Sequence, residues 1–292
     1  MRYPSVQTKL VFLLGNPLGH SHSPLMQNRC FEKLEMDYFY LPVEVTEENL
    51  PIVFAGLTRM NMAGMNVTIP HKIRIMELLD DIDPLAAAIG AVNVLCLKNG
   101  RSIGYNTDGE GFLTSLESGL SISMTGKRIF IIGSGGAVRA ISMTLASKGA
   151  QKIFLYNRTL SKAESLAEDV NNTICNCAEV VGQKDKDFKD ALQSSDVLIN
   201  GTSIGMHPHT DVMPLDPNLL FQDLAVADIV YNPLQTKLLQ TAQAKGCRTV
   251  DGLGMLVYQG ARAFELWTGI QPPIEDMFET LHQATYHQKA HA

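Results

Sequence analysis

Short apolar runs alternate with amphipathic stretches along the chain. "LVFLLG" is an apolar run closed by Gly15 and predicts a buried strand. In "PLMQNRCFEKLE", Leu25, Met26, Cys30, Phe31 and Leu34 recur at helical spacing and predict a helix. "DYFYLPVEV" is rich in strand-favouring residues, and "AGMNVTI" reads as a strand stopped by Pro70. "AVNVLCLKNGRSIGYNTDG" predicts two strands around an Asn99-Gly100 turn. "IRIMELLDD", after Lys72, and "GEGFLTSLE", after Asp108, read as helices. Strand–helix alternation through the middle predicts parallel sheets and an α/β fold. The tail "HQATYHQKAHA" is polar and expected to be irregular beyond the last helix.

One stretch carries a stronger signal. "RIFIIG" predicts a strand buried on both faces. Gly133-Ser134-Gly135-Gly136 then lets the backbone turn tightly and approach a pyrophosphate with no Cβ in the way. The helix that follows places Val138, Ile141 and Leu145 on one face and stops at Gly149, its free N–H groups directed at phosphate. A full fingerprint has a third glycine near position 138, where this chain has Val138. The second strand, "KIFLYN", ends not in an acidic residue but in Asn157, Arg158 and Thr159, with Lys162 a turn later. A carboxylate there would receive a ribose 2′-hydroxyl and repel a 2′-phosphate. A neutral amide, a planar cation, a hydroxyl and a second cation suit the phosphate, so the expected cofactor is NADP rather than NAD.

A length of 292 residues suits two domains, because single cores stop growing near ~250–300 residues. Net charge is −6, which gives no reason to expect a nucleic-acid or anionic-membrane partner. No apolar run approaches the ~20 residues that span a bilayer, and the first run meets Gly15-Asn16-Pro17 rather than a cleavage site. A cytoplasmic protein is expected. The five cysteines are odd in number and form no Cys-x-x-Cys pair, so reduced, mostly structural thiols are expected. No ligand set completes a metal site around Cys175-Asn176-Cys177, or around His207-Pro208-His209.

The chemistry sits in "GNPLGHSHSP", "GMNVTIPHK", "GAVNVL" and "GYNTDG", which are rich in Asn, Ser, Thr and Asp. Such side chains suit a small, hydroxylated substrate, since each desolvated hydroxyl needs a donor and an acceptor. Ser21 and Ser23 could hold a carboxylate, and Lys72 with Asp108 is the evident acid–base pair. His20 and His22 read as loop residues.

Taken in order, "NPLGHSHSP", "NVTIPHK", "GAVNVL", "NTDG", "GSGGAVRA", "NRTLSKAESLA", "NGTSIGM", "YNP" and "DGLGMLVYQGARAFELWTG" resemble the shikimate/quinate dehydrogenase family over nearly the whole chain. Ser134 stands where that family usually has Ala. The resemblance implies two α/β domains: 1–107 with 253–292 binding substrate, and a Rossmann-like 108–252 binding NADPH. The helices after Leu253 would pack back on the first domain, and the active site would lie in the cleft between lobes. It implies that Ser21 and Ser23 contact a substrate carboxylate, that Thr68, Asn93, Asp108 and Gln259 contact ring hydroxyls, and that Tyr231 lines the pocket. Lys72, paired with Asp108, would be catalytic. Gly133, Gly135, Gly136 and Ala137 would cradle the pyrophosphate, and Asn157, Arg158, Thr159 and Lys162 would take the 2′-phosphate. Thr202, Gly252 and Met255 would approach the nicotinamide end. The implied reaction is reversible NADP-dependent reduction of 3-dehydroshikimate to shikimate, with quinate oxidation using NAD or NADP as the alternative. A non-catalytic Rossmann-type binding protein is more remote, since Lys72, Asp108 and the glycine loop are all present. A monomer or homodimer is expected.

Overall fold

The computed structural model describes residues 4–19, 21–182 and 185–289. The first apolar run forms β1 (Lys9–Gly15), whose Val11 to Leu14 are buried. α1 (Ser23–Lys33) carries Pro24 in its first turn, where the missing N–H costs nothing. It buries Met26, Cys30 and Phe31, whereas Leu25 is 54% exposed and Leu34 lies just past its end, so the apolar face is narrower than the spacing predicts. β2 (Tyr38–Glu44) pairs parallel with one side of β1. α2 (Leu50–Leu57) then leads to β3 (Met62–Val67), parallel on the other side.

The helix expected in "IRIMELLDD" shrinks to a 3₁₀ turn at Arg74–Leu78. The chain is drawn instead into β4 (Asp81–Ile82), because the Asp80 carboxylate accepts the Ser102 N–H at 2.8 Å and its Oγ–H at 2.7 Å. α3 (Pro84–Ile89) is capped by the Asp83 side chain. β5 (Val94–Lys98) and β6 (Arg101–Tyr105) form the expected hairpin, with φ of 52° at Asn99 and 76° at Gly100. The sheet order is β2-β1-β3-β5-β6-β4. β5 runs antiparallel to both neighbours, so this sheet is mixed, in keeping with the hairpin expected around Asn99-Gly100.

After β6 come α4 (Asp108–Leu120), β7 (Arg128–Ile132), α5 (Gly136–Ser147), β8 (Lys152–Tyr156) and α6 (Leu160–Thr173). They are followed by β9 (Ala178–Val180), α7 (Asp185–Gln193), β10 (Val197–Asn200), β11 (Ala225–Asp228), α8 (Lys237–Ala244) and β12 (Thr249–Val250). All neighbouring strands in this second sheet pair parallel, in the order β12-β11-β10-β7-β8-β9. That is the doubly wound order of dinucleotide-binding folds. β7 is buried from Ile129 to Ile132, and Val138, Ile141 and Leu145 of α5 are buried beside it.

α9 (Leu253–Thr268) and α10 (Ile274–Lys289) complete the chain. α10 takes in most of the tail expected to be irregular. That segment contains no Gly or Pro, and its Ala, Gln and Lys favour helix. Contacts divide the chain into Met1–Thr107 with Gln259–Ala292, and Asp108–Tyr258. α9 from Gln259 onward and α10 pack back in the first unit, whereas residues 253–258 fall in the second unit. Phe264 stacks on Phe31 with centroids 4.9 Å apart, Gln27 Nε2 donates to the Gly260 carbonyl at 2.9 Å, and Trp267 Nε1 donates to Leu95 O at 3.0 Å. Among the described residues, no helix is long and apolar enough to cross a membrane.

Candidate active site

Strand order 2-1-3 at the start of the chain places a reversal between β1 and β3, and loops leaving their carboxyl ends open into that crevice. The loop after β1 carries Ser21 and Ser23, and the loop after β3 carries Thr68 and Lys72. The two are stitched together: Asn16 N–H donates to Ile69 O at 2.9 Å and Thr68 N–H to Leu14 O at 2.8 Å. Gly15 eases this close approach, since an added Cβ would lie 2.4 Å from Thr68 Cγ2 and 2.6 Å from Leu18 Cδ2, and those side chains would have to move. Glu44 accepts the Leu18 N–H at 2.6 Å and Ser21 Oγ accepts the Ser23 N–H at 3.4 Å, shaping the serine loop. His22 is the residue before α1, consistent with a loop role; His20 lies outside the described residues. Antiparallel pairing brings the start of β5 and the end of β6 to the same edge, with Val94 opposite both Asn66 and Tyr105. Asn93 therefore joins Ser21, Ser23, Thr68 and Lys72, and Val92 N–H donates to the Lys72 carbonyl at 2.8 Å.

Beneath that edge runs a buried polar layer. Tyr40 is 1% exposed, and its hydroxyl donates to Asn66 Oδ1 at 2.7 Å. Burial pushes the phenol well above its usual pKa, opposed by a hydrogen bond with the Ser23 side chain. Asn66 Nδ2 donates to Asn93 O at 3.1 Å. The Asn93 amide grips Thr107 from both ends, accepting its N–H at 2.8 Å and donating to its Oγ1 at 3.0 Å. Thr107 Oγ1 in turn donates to Gln259 O at 3.1 Å. Tyr40, Asn66 and Thr107 were not among the residues singled out from sequence. An Asn inside the apolar run "GMNV" was the signal available, because a buried amide must be satisfied by partners.

In the second unit the glycine turn sits at the carboxyl end of β7, where the strand order reverses toward β10. Gly133 has φ of 115°, its N–H donates to Tyr156 O at 2.8 Å, and an added Cβ would meet Gly201 O at 2.9 Å and Thr202 Cγ2 at 3.1 Å. Only glycine suits that position. Gly135 caps α5 without a side-chain bond, and added Cβ atoms at Gly135 or Gly136 would meet nothing within 4 Å. The start of α5 is therefore uncrowded at Gly135 and Gly136, and a helix start with its first N–H groups unpaired within the helix suits an anion. The absent third glycine has a counterpart across the packing: a Cβ on Gly201 would lie 2.1 Å from Val138 Cγ2. The close approach of helix and sheet is made by thinning the strand end instead of the helix.

The turn between β8 and α6 holds Asn157, Arg158 and Thr159, with Asn157 Nδ2 donating to Thr159 O at 2.8 Å, and Lys162 follows in the first turn of α6, its N–H donating to the same carbonyl at 3.1 Å. Arg158, Thr159 and Lys162 are exposed. A cavity of about 270 Å³ beside them is lined by Ser134 of the glycine turn and by Arg139, Ser161, Lys162, Ser165 and Leu166. Arg139, not singled out from sequence, is ion-paired with Asp169. Open glycines, an uncapped helix start and an adjacent cationic pocket fit a phosphorylated dinucleotide.

At the ends of β10 and β11, buried Asp228 ties two loops together. It accepts from Asn200 Nδ2 at 3.0 Å, Val230 N–H at 3.0 Å and Thr236 Oγ1 at 2.8 Å. Asn200 Oδ1 accepts from Thr202 Oγ1 at 2.7 Å, which anchors one loop, and Val230 leads into Tyr231 on the other. Burial pushes the Asp228 carboxyl up to about 6, against the pull of those hydrogen bonds. Gly252 packs on Ile229 and Val230, where a Cβ would fall 2.3 Å from Ile229 O. Met255 is half-buried in α9, Tyr231 is 40% exposed, and Asp108 opens α4.

Three family models match this chain. Residues 13–95 match the shikimate dehydrogenase substrate binding domain, 116–229 match shikimate/quinate 5-dehydrogenase, and 252–282 match the shikimate 5′-dehydrogenase C-terminal domain. A shikimate dehydrogenase (NADP(+)) from Methanopyrus kandleri is 43% identical over 276 residues, covering 94% of this chain and 95% of that protein. A shikimate dehydrogenase crystallised with NADP⁺ is 40% identical and superimposes with a TM-score of 0.88, over 97% of this chain and 98% of the other. A shikimate 5-dehydrogenase from Listeria monocytogenes, crystallised with shikimate and NAD, is 36% identical with a TM-score of 0.91, over 96% and 99%. With the motifs in order and such relatives matched along almost their full length, the chain belongs to the shikimate dehydrogenase family.

Proposed function

We propose that this protein catalyses the reversible, NADP-dependent reduction of 3-dehydroshikimate to shikimate, in the cytoplasm and as a monomer or homodimer. The carrying observation is the convergence of Ser21, Ser23, Thr68, Lys72 and Asn93 on one sheet edge above a buried polar layer. Neutral donors and acceptors around a single lysine suit a small, hydroxylated carboxylate. Ser21 and Ser23 take the carboxylate; Thr68, Asn93, Asp108 and Gln259 take ring hydroxyls; Tyr231 lines the pocket. Gly133, Gly135, Gly136 and Ala137 hold the pyrophosphate, while Asn157, Arg158, Thr159 and Lys162 hold the 2′-phosphate. Thr202, Gly252 and Met255 border the nicotinamide end.

When bound, NADPH supplies a hydride from nicotinamide C4 to the ketone carbon. Lys72, as ammonium, stabilises the charge that develops on the ketone oxygen and gives it a proton. Asp108 orients Lys72 and accepts a hydrogen bond from a substrate hydroxyl. In the oxidising direction Lys72 takes the proton back. Lys72→Ala should lower kcat with shikimate and NADP⁺ by roughly 10²-fold or more, a usual range for a lost general acid–base group. The affinity for NADP⁺, measured by calorimetry, should stay within about threefold on the same basis, because Lys72 is not among the phosphate ligands. Unchanged turnover would remove Lys72 from the chemistry.

A further inference from the structure

Two of the five thiols touch. Cys175 and Cys177 lie in the link between α6 and β9, with their Sγ atoms 3.0 Å apart. Backbone bonds independent of the sulfurs fix this link at both ends. The Asn171 amide accepts the Ala178 N–H at 2.8 Å and donates to its carbonyl at 3.0 Å. Cys175 N–H donates to Val170 O at 3.2 Å, and Ile153 N–H donates to Cys177 O at 2.9 Å. Between them Cys177 N–H donates to Cys175 O at 2.8 Å, a tight turn that turns both side chains to one side. A disulfide is about 2.0 Å long, so closure needs a sulfur movement of roughly 1 Å and no new backbone path. Cys30, Cys96 and Cys247 are each buried and free.

We propose that Cys175 and Cys177 are a redox-active dithiol that small disulfides of the glutathione class oxidise to an intrachain disulfide. The two thiols have different parts. Cys175 is half-buried and reachable, whereas Cys177 is buried and its thiol is pushed up to about 12 by desolvation. Cys175 as thiolate attacks one sulfur of oxidised glutathione; that S–S bond breaks, and the released glutathione thiolate takes up a proton. Cys177 then loses its proton and attacks Cys175 Sγ, expelling the second glutathione. The protein gives up two protons and two electrons, which reduce one external disulfide to two thiols. The pair follows the carboxyl end of α6, whose amino end carries the Asn157–Thr159 turn. Fourteen residues separate the two ends by about 21 Å, so turnover should change less than about twofold on closure.

The test incubates the full-length protein with excess oxidised glutathione and counts alkylatable thiols under denaturing conditions by mass spectrometry. The wild type should fall from five thiols to three without retaining glutathione, with 175 and 177 linked in the peptide map. Cys177→Ser should stop at a glutathione adduct on Cys175, and Cys175→Ser should keep its remaining thiols. Five thiols persisting in the wild type, a wild-type protein that accumulates only the adduct, or an internal disulfide that survives Cys175→Ser would each overturn the proposal.

Discussion

The displaced glycine gives a sharp test of how the cofactor-binding unit is packed. Val138 stands where a dinucleotide fold often has glycine, and Gly201, at the end of β10, supplies the room: its absent Cβ would be 2.1 Å from Val138 Cγ2. Gly201→Ala alone drives a methyl into a filled space and should cost about 1–3 kcal/mol. Val138→Ala alone removes two fully buried methyl groups; at ~0.8 kcal/mol each plus a cavity contribution, it should cost about 2 kcal/mol. In the double variant the methyl added at position 201 enters space that the Val138 side chain has vacated. The pair should therefore be at least about 1 kcal/mol more stable than the sum of the single losses implies. Urea unfolding of all four proteins, followed by circular dichroism, completes the cycle. Additivity within about 0.5 kcal/mol would refute the steric exchange.

Two further predictions concern charge. Arg158→Gln should weaken NADP⁺ binding by roughly 10- to 100-fold, the value of one or two charge-assisted hydrogen bonds, with NAD⁺ binding little changed; equal losses for both cofactors in calorimetry would contradict a 2′-phosphate role. Asp228, pushed from 3.8 to about 6, favours the folded state most when protonated, so its contribution is fully present below pH 3.8 and is lost as pH rises through about 6. Asp228→Asn keeps partners for Asn200, Val230 and Thr236 and removes the charge. Its stability relative to wild type should rise by about 3 kcal/mol at most between pH 4 and 7, from ~1.4 kcal/mol per pKa unit. A gap that stays flat across this range in denaturant titrations would contradict the desolvation account.

Local signals in the sequence read correctly where neighbours along the chain decide the structure. "RIFIIGSGG" specifies strand, turn and helix start within a few residues, and Asn99-Gly100 specifies its hairpin with two positive φ angles. The failures have distant causes. The segment after Lys72 becomes a 3₁₀ turn because Asp80 is held by Ser102, a partner on another strand. Leu25 looks like a core residue by spacing yet faces outward. The polar layer of Tyr40, Asn66 and Thr107 stayed hidden because its members come from β2, β3 and the loop after β6 and meet only when the sheet forms. Gly201 is one plain glycine in "NGTSIGM" until Val138 packs against it. The roles of individual site residues came from resemblance; the structure adds the physical reason that Ser21, Thr68, Lys72 and Asn93 share one edge, which is the placement of β1, β3 and β5.

The most direct test of the proposed activity is a steady-state comparison of purified protein with shikimate or quinate, each paired with NADP⁺ or NAD⁺. The account predicts the highest kcat/KM for shikimate with NADP⁺, by at least tenfold over NAD⁺ if even one phosphate contact of about 1.4 kcal/mol operates. A preference for quinate or for NAD⁺, or no turnover with any of the four pairs, would contradict it.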